Sequence, residues 1–249
     1  MTSRKKVFIT GGSSGLGRQM AIEFTSRGYD VALAARRLEA LQALKDELAL
    51  INDTNVLIYT LDVTDFDSVE PTIFQIAEDM GGLDIVVANS GIGKATTVGV
   101  KDFSITRATI ETNVIGAMAT IDAAVKIFLK QGFGQVVGIS SVAGFRGFPH
   151  TGAYAASKAA LTVYLQSLRA ELWTKGITVT DLAPGYIMSE MTDDGYKRPF
   201  LISLEKGGRI LVNLIEKKVA FSTVPRWPWV VVSKVLRLIP ASMLAYRPK

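Results

Sequence analysis

The chain has 249 residues, 48% of them hydrophobic, and contains no cysteine. That length and apolar content are sufficient for one sizeable α/β domain, while the absence of thiols excludes disulfides, thiolate catalysis and cysteine-ligated metals. The formal net charge is +5, and residues 217–249 contain seven basic residues and no acid. Because this charge is confined to one apolar segment without a recognisable nucleic-acid-binding module, we expect no nucleic-acid partner. No metal site is predicted.

Apolar strand-like stretches alternate with helical stretches along the chain. The predicted strands are at residues 7–10, 31–35, 56–60, 85–89, 135–140, 178–182 and 219–224. This alternation predicts an α/β fold with a doubly wound parallel sheet of about seven strands and helices on both faces. No linker or repeat divides the chain. We therefore expect a single domain, with a core at residues 1–190 and a substrate-cleft and C-terminal extension of it at 191–249.

A glycine-rich turn follows the first predicted strand. Gly11, Gly15 and Gly17 have the spacing Gly-x-x-x-Gly-x-Gly, and a helix is predicted to begin near Gly15. A strand, a tight turn and a helix N-terminus together form an anion site, because free N–H groups and the helix dipole point at the ligand. Glycines allow the backbone to approach a phosphate closely. The turn therefore predicts a site for the pyrophosphate of a dinucleotide.

The end of the second predicted strand indicates which dinucleotide is bound. NAD-binding domains usually place an acid there to hold the ribose hydroxyls, but this strand ends with Ala35, Arg36 and Arg37. Two guanidinium groups can pair with a 2′-phosphate, and no carboxylate at the strand end would repel it. We therefore predict NADP in preference to NAD.

Tyr154 and Lys158 are four residues apart in a stretch predicted to be helical, so their side chains project from one face. A free tyrosine has a pKa near 10 and is a poor base at pH 7. An ammonium about 4 Å away, at an effective dielectric of about 20, would stabilise the phenolate by about 4 kcal/mol. We expect Lys158 to lower the pKa of Tyr154, provided that the pair lies in a partly dry cleft.

Hydroxyl groups follow the predicted strand at 135–140. Ser141 is placed at its carboxyl end, where ligands bind in open α/β sheets, and its hydroxyl can bond a substrate oxygen as charge develops there. Ser140 is the alternative for this role, although we expect it to be a structural cap. His150, the single histidine, is predicted to be a loop residue at the rim of the cleft.

Residues 5–190 resemble the short-chain dehydrogenase/reductase family, whose domain is a Rossmann-type fold. The stretch from Thr10 to Gly17 matches its cofactor turn, and Asn89 and Gly91 match its Asn-Ala-Gly signature, with Ser90 in the middle. Four positions match its catalytic tetrad: Asn113, Ser141, Tyr154 and Lys158. The cofactor-binding residues that the resemblance and the turn imply are Gly11, Ser13, Ser14, Gly15, Leu16, Gly17, Arg36, Arg37, Asp62, Val63, Asn89, Gly91, Tyr154, Lys158, Pro184, Gly185, Ile187 and Ser189.

The resemblance implies a role for each residue of the tetrad. Tyr154 donates a proton in carbonyl reduction and accepts one in alcohol oxidation, and Lys158 also binds the nicotinamide ribose. Ser141 polarises the carbonyl, and Asn113 anchors a water that links Lys158 to solvent. Asp62 and Val63 would touch the adenine. Ser189 occupies the position of a threonine that binds the nicotinamide carboxamide.

The implied activity is NADP-dependent interconversion of an apolar secondary alcohol and its ketone, or an aldehyde. Two alternatives stay open: an acyl-carrier-protein ketoreductase, and a non-catalytic nucleotide-binding scaffold. Many ketoreductases of the family end in a strand closing with Asp-Gly-Gly, which this chain lacks. That difference argues against their substrate and their usual tetramer.

The resemblance also implies a homodimer, with a tetramer as the alternative, in which helical stretches 105–130 and 153–175 pair across a two-fold axis. We expect a cytoplasmic protein with no signal peptide and no membrane-spanning helix.

Residues 225–249 combine basic residues with Trp227 and Trp229. If 229–239 is helical, Ser233, Lys234 and Arg237 lie on one narrow face and the remaining surface is apolar. Such a helix suits peripheral contact with the inner face of a membrane. The alternative is a helix packed on the domain or on a partner subunit.

Overall fold

The computed structural model describes residues 4–100, 103–190, 192, 195 and 197–245. Its centre is a parallel sheet with the order β3-β2-β1-β4-β5-β6-β7. The strands are β1 Lys6–Thr10, β2 Asp30–Ala35, β3 Val56–Thr60, β4 Ile85–Ala88, β5 Gly134–Ile139, β6 Ile177–Pro184 and β7 Phe221–Val224. The predicted fold class is confirmed, and the strands differ from prediction only at their ends.

Helices cover both faces of the sheet. They are α1 Gly15–Ser26, α2 Leu38–Ala49, α3 Phe66–Met80, α4 Phe103–Ile110, α5 Ala117–Gln131, α6 Gly152–Glu171, α7 Leu204–Glu216, α8 Trp229–Leu238 and α9 Ala241–Leu244. Side chains alternate along β1, so that Val7 and Ile9 pack with α1, α2 and α7, while Phe8 packs with α3, α5 and α6. Because successive side chains point to opposite faces, the strand is buried between two apolar layers.

Helices α4 and α5 form one continuous helical stretch, joined by a π-helical segment at Glu111–Gly116. By length and composition alone, the stretch from Phe103 to Gln131 could cross a bilayer. Half of its most apolar window is buried inside the domain, where Ile121 and Phe128 pack in the core. This stretch therefore has the surroundings of a core helix.

The C-terminal part of the described chain packs on the same sheet. Helix α8 contacts β7 and the short 3₁₀ helix Val142–Phe145, and the Arg146 Nη2 atom donates a hydrogen bond to the Ile239 carbonyl at 2.7 Å. The predicted helix at 229–239 is thus present. Its first residue, Trp229, is only 3% exposed. Trp229 is thus packed against the domain, as the alternative of a packed helix expects for this residue.

Candidate active site

A cleft of about 530 Å³ opens at the carboxyl ends of β1, β2, β4, β5 and β6. Eighteen of the twenty predicted site residues line it, and the two exceptions are Gly17 and Asn113. The exceptions lie directly behind the cleft wall. The two ends of the site that are far apart in sequence, the glycine turn and the Tyr154–Lys158 pair, are therefore brought together.

The glycine turn is held in place by Asn89 of the neighbouring strand end. The Asn89 Nδ2 atom donates hydrogen bonds to the carbonyls of Thr10 at 3.0 Å and Gly11 at 3.2 Å. A Cβ atom on Gly17 would lie 2.2 Å from the Gly11 carbonyl oxygen, so only glycine allows the helix to begin this close to the turn. Gly17 thus shapes the turn from behind without lining the cleft.

The N-terminus of α1 faces the cleft. Ser14 is the N-cap residue, and its side chain makes no capping hydrogen bond, while Ser13, Ser14 and Gly15 all line the cleft. Exposed N–H groups, two hydroxyls and the positive end of the helix dipole therefore surround one space. This arrangement fits a pyrophosphate.

The two arginines after β2 have different surroundings. The Arg37 Nη2 atom lies 3.5 Å from Ser13 Oγ, beside the turn. The Arg36 Nη1 atom lies 3.9 Å from Asp62 Oδ2, with the two side chains 71% and 41% exposed. Asp62 Oδ1 also accepts hydrogen bonds from the backbone N–H and hydroxyl of Thr64. The charge of Arg36 is thus partly compensated by Asp62, a carboxylate that follows β3 and is absent from the sequence at the end of β2.

Tyr154 and Lys158 lie on one face of α6, as predicted, but their electrostatics differ from the prediction. Burial lowers the pKa of Lys158 to about 8, and the negative charge of Asp181 opposes that shift. Burial raises the pKa of Tyr154, and a hydrogen bond with Ser141 lowers it in part. The expected fall in the Tyr154 pKa was wrong for the protein alone. The Lys158 Nζ atom lies 5.8 Å from the tyrosine ring centroid and donates instead to the Ile139 carbonyl at 2.8 Å.

The two serines after β5 differ from prediction in one respect, since the cap is Ser141 and not Ser140. Ser141 caps the 3₁₀ helix by accepting a hydrogen bond from the Ala143 N–H at 3.1 Å. Ser140 is no cap, because its hydroxyl lies 2.5 Å from the buried Asp181 Oδ1 atom. Ser141 still lines the cleft beside Tyr154, so its predicted position at the site holds.

Asn113 lies in the π-helical segment and is fully buried. Its Oδ1 atom accepts from the Ile92 N–H at 2.8 Å, and its Nδ2 atom donates to the Ile92 carbonyl at 2.9 Å and to Ser157 Oγ at 3.0 Å. The amide therefore ties the chain after Gly91 to α6. The predicted water link to Lys158 stays a prediction.

Asp181 and Thr192 are among the polar residues near the site that were not foreseen. Asp181 is 1% exposed, and burial raises its pKa while Ser140, first among several partners, lowers it. Thr192 lines the cleft, where its hydroxyl accepts from the Ser189 N–H at 2.9 Å. A single acid inside an apolar strand was a signal for Asp181. Nothing in the sequence pattern marked Thr192.

Comparison with known proteins gives consistent matches. A family model described as short chain dehydrogenase matches residues 5–198. An uncharacterized oxidoreductase of Mycobacterium tuberculosis is 40% identical over 240 residues, covering 96% of this chain and 95% of the relative.

Solved structures agree with these matches. An alcohol dehydrogenase from Thermococcus sibiricus, complexed with 5-hydroxy-NADP, is 25% identical with a TM-score of 0.80, over 89% of this chain and 95% of that one. The structure of ElxO with NADP bound is 27% identical with a TM-score of 0.81, over 89% and 97% of the two chains.

Proposed function

The chain belongs to the short-chain dehydrogenase family of oxidoreductases, and we propose that it uses NADP to interconvert an apolar secondary alcohol and its ketone, or an aldehyde. One observation carries the proposal. Ser141, Tyr154 and Lys158 line the same cleft as the glycine turn. A proton donor and a dinucleotide cradle thereby share one space.

The residues of the cleft can perform the acid–base part of this reaction. When bound, NADPH supplies the hydride that the carbonyl carbon receives. The Tyr154 hydroxyl donates its proton to the carbonyl oxygen, which becomes the alcohol, and Ser141 donates a hydrogen bond to that oxygen as negative charge develops. The raised pKa of Tyr154 keeps it protonated at neutral pH. A protonated hydroxyl is what the proton donor of the reductive direction needs.

Two observations support NADP as the cofactor. Arg36 and Arg37 both line the cleft at the end of β2, and two structurally similar proteins carry NADP or 5-hydroxy-NADP. Because Asp62 partly compensates Arg36, Arg37 is the better placed partner for a 2′-phosphate. Titration should give tighter binding of NADPH than of NADH, and Arg37→Ala should reduce that preference by roughly 1.5–3 kcal/mol. Equal affinity of the wild-type protein for both cofactors would refute the assignment.

The apolar character of the substrate is supported by the residues around the catalytic end of the cleft. Ile92, Ile139 and Ile187 line it, and Phe148 and Met188 are exposed in the flanking segments. The test is NADPH oxidation with ketones and aldehydes of graded chain length, where turnover should rise with length. Preference for a short acetoacetyl thioester would favour the acyl-carrier-protein ketoreductase. Binding of NADPH without turnover on any carbonyl would favour the scaffold.

We also propose a homodimer, supported by exposed apolar residues on the helices expected to pair. Leu129 on α5, Val163 on α6 and Trp173 after it are all exposed. Light scattering should give twice the mass of the chain at micromolar concentration, and Val163→Asp should shift it toward the monomer. A wild-type monomer would reject the interface.

A peripheral contact between residues 225–249 and an anionic membrane surface is the last part of the proposal, and it fits a cytoplasmic protein. It is supported by exposed apolar residues on one side of α8, Val231, Val235 and Leu238, and by the exposed Trp227. Arg247 and Lys249 lie outside the described residues. Co-sedimentation with anionic vesicles tests the contact. Binding should rise with anionic lipid and fall with salt.

A further inference from the structure

A second cavity, of about 420 Å³, is separate from the cofactor cleft. Its wall comes from α6, from α7 through β7, from the segment after β7, and from α8, and it includes Phe145 at the end of the 3₁₀ helix that Ser141 caps. It shares no lining residue with the cofactor cleft. Its volume lies within the range of small-molecule sites.

The charge on its wall is of one sign. Arg226, Lys234 and Arg237 line the cavity, and no acidic residue does so among the lining residues of the described chain. None of the three forms an ion pair with a described residue. The Arg237 guanidinium packs over the Phe145 ring at 5.2 Å. Three cations around one concave space attract an anion, and the repulsion between the cations falls when an anion binds.

The remaining wall is divided between polar and apolar groups. Thr162, Gln166 and Ser233 add polar groups to the wall, and Leu214, Val219 and Val230 add apolar ones. Phe145 and Phe221 also line the cavity, and their rings meet edge to face with centroids 6.1 Å apart. A small inorganic anion would leave these apolar residues without a partner.

We propose that this cavity binds an amphiphilic organic anion, with a phosphate or carboxylate head at Arg226, Lys234 and Arg237 and a hydrocarbon part against the apolar residues of the wall. Two sources offer that chemistry: a free amphiphile and the head region of an anionic lipid. The site is independent of NADP, because the two cavities have separate walls.

Calorimetric titration of the full chain with decyl phosphate, below its micelle concentration, tests the proposal. Decyl phosphate should bind at least tenfold more tightly than decanol and inorganic phosphate, each of which offers only half of the ligand. Saturating NADPH should leave the Kd for decyl phosphate unchanged. No binding, equal affinity for decanol, or displacement by NADPH would overturn the proposal.

Charge-matched variants locate the site. Arg226→Gln with Lys234→Gln removes two cations from the wall and should weaken decyl phosphate at least tenfold, since hydrogen bonds to charged groups are the strong ones. Lys5→Gln with Lys206→Gln removes two exposed cations elsewhere and should have no effect. Equal weakening in both double variants would show nonspecific attraction and sink the assignment. Circular dichroism confirms that each variant is folded.

Vesicles distinguish the two sources. If phosphatidylglycerol vesicles displace decyl phosphate from the wild-type protein, the site takes a lipid head. If decyl phosphate stays bound, the site takes a free amphiphile. Either result is consistent with the ligand chemistry proposed for this cavity.

Discussion

The cofactor cleft and the segment at residues 225–245 meet where Trp229 packs beside Gly185, but they are built differently. In the cleft, positions are set by the backbone: the glycine turn, the strand ends and the four-residue spacing on α6. In the C-terminal segment, side chains on a short helix divide between packing and solvent. At the contact, a Cβ atom on Gly185 would lie 2.1 Å from Trp229 Nε1. Trp229 therefore belongs structurally to the cleft, while Trp227, two residues earlier, is 72% exposed.

The largest effect expected is at the catalytic end of the cleft. Tyr154→Phe removes the proton donor and keeps the ring, so kcat should fall by 10²–10⁴ while NADPH affinity changes little. The measurement is NADPH oxidation on the best carbonyl found in the screen. Tyr164→Phe, on the same helix but outside the cleft, is the matched control and should keep full activity. Retention of more than about a tenth of wild-type kcat by Tyr154→Phe would reject the assignment.

Substitutions of Trp227 and Trp229 compare an exposed and a packed position of the C-terminal segment. Trp229 contacts the Tyr186 ring at 5.5 Å and the Phe200 ring at 5.8 Å. Trp229→Ala should therefore cost about 3–5 kcal/mol in the free energy of unfolding. Trp227→Ala should change it by less than about 0.5 kcal/mol, as is usual for surface positions. Urea denaturation measures both. Similar losses for the two variants would remove the distinction.

Lys158 destabilises the folded protein, although the proposed reaction requires it. Its pKa falls from 10.5 to about 8 in the folded protein, so below pH 8 the buried ammonium destabilises the native state. Lys158→Met should lose turnover and yet be more stable at pH 7 by about 2 kcal/mol. This is the charge penalty of roughly 3 kcal/mol less about 1 kcal/mol for the lost hydrogen bond to Ile139.

The sign of the pH dependence follows from proton binding. Between about pH 8 and 10.5 the unfolded chain holds the Lys158 proton and the native protein does not, so wild-type stability rises with pH across that window. The advantage of Lys158→Met should therefore shrink as pH rises from 8 to 10.5. Urea unfolding at pH 7, 9 and 10 measures it, with the exposed Lys5→Met as a control. A difference that is constant with pH would contradict the burial of a charged Lys158.

These contrasts explain which features could be predicted from the sequence. The period of two in β1 and the glycine spacing are local, so they predicted the sheet and the turn. The spacing of Tyr154 and Lys158 predicted their common face, but the pKa of Tyr154 depends on burial, which spacing does not report. Ser140 and Ser141 are adjacent and chemically equivalent in sequence. Only the position of Asp181 on the next strand decides which of them is buried against it.

The smallest effect expected concerns the free part of the C-terminal segment. Val231, Val235 and Leu238 are exposed at spacings of four and three residues, so they share one side of α8, and Trp227 is exposed just before it. With Arg226, Lys234 and Arg237 each contributing about 1 kcal/mol at an anionic surface, the electrostatic attraction is about 3 kcal/mol at low salt. An attraction of this size is sufficient for reversible attachment only. The loss of a single exposed apolar side chain should therefore weaken the attachment measurably.

Trp227→Ala should weaken binding to phosphatidylglycerol vesicles about tenfold, or about 1.4 kcal/mol, and leave the Kd for decyl phosphate unchanged. Trp227 does not line the second cavity, so the substitution separates contact with a surface from binding in a pocket. Trp173→Ala, which removes an equally exposed tryptophan far from α8 in sequence, should change neither. This substitution is a sharper test than removing residues 225–249, because the truncation would also remove the packed Trp229. If wild-type protein ignores anionic vesicles at low salt, α8 has a structural role only, and the exposed side of the helix has no membrane partner.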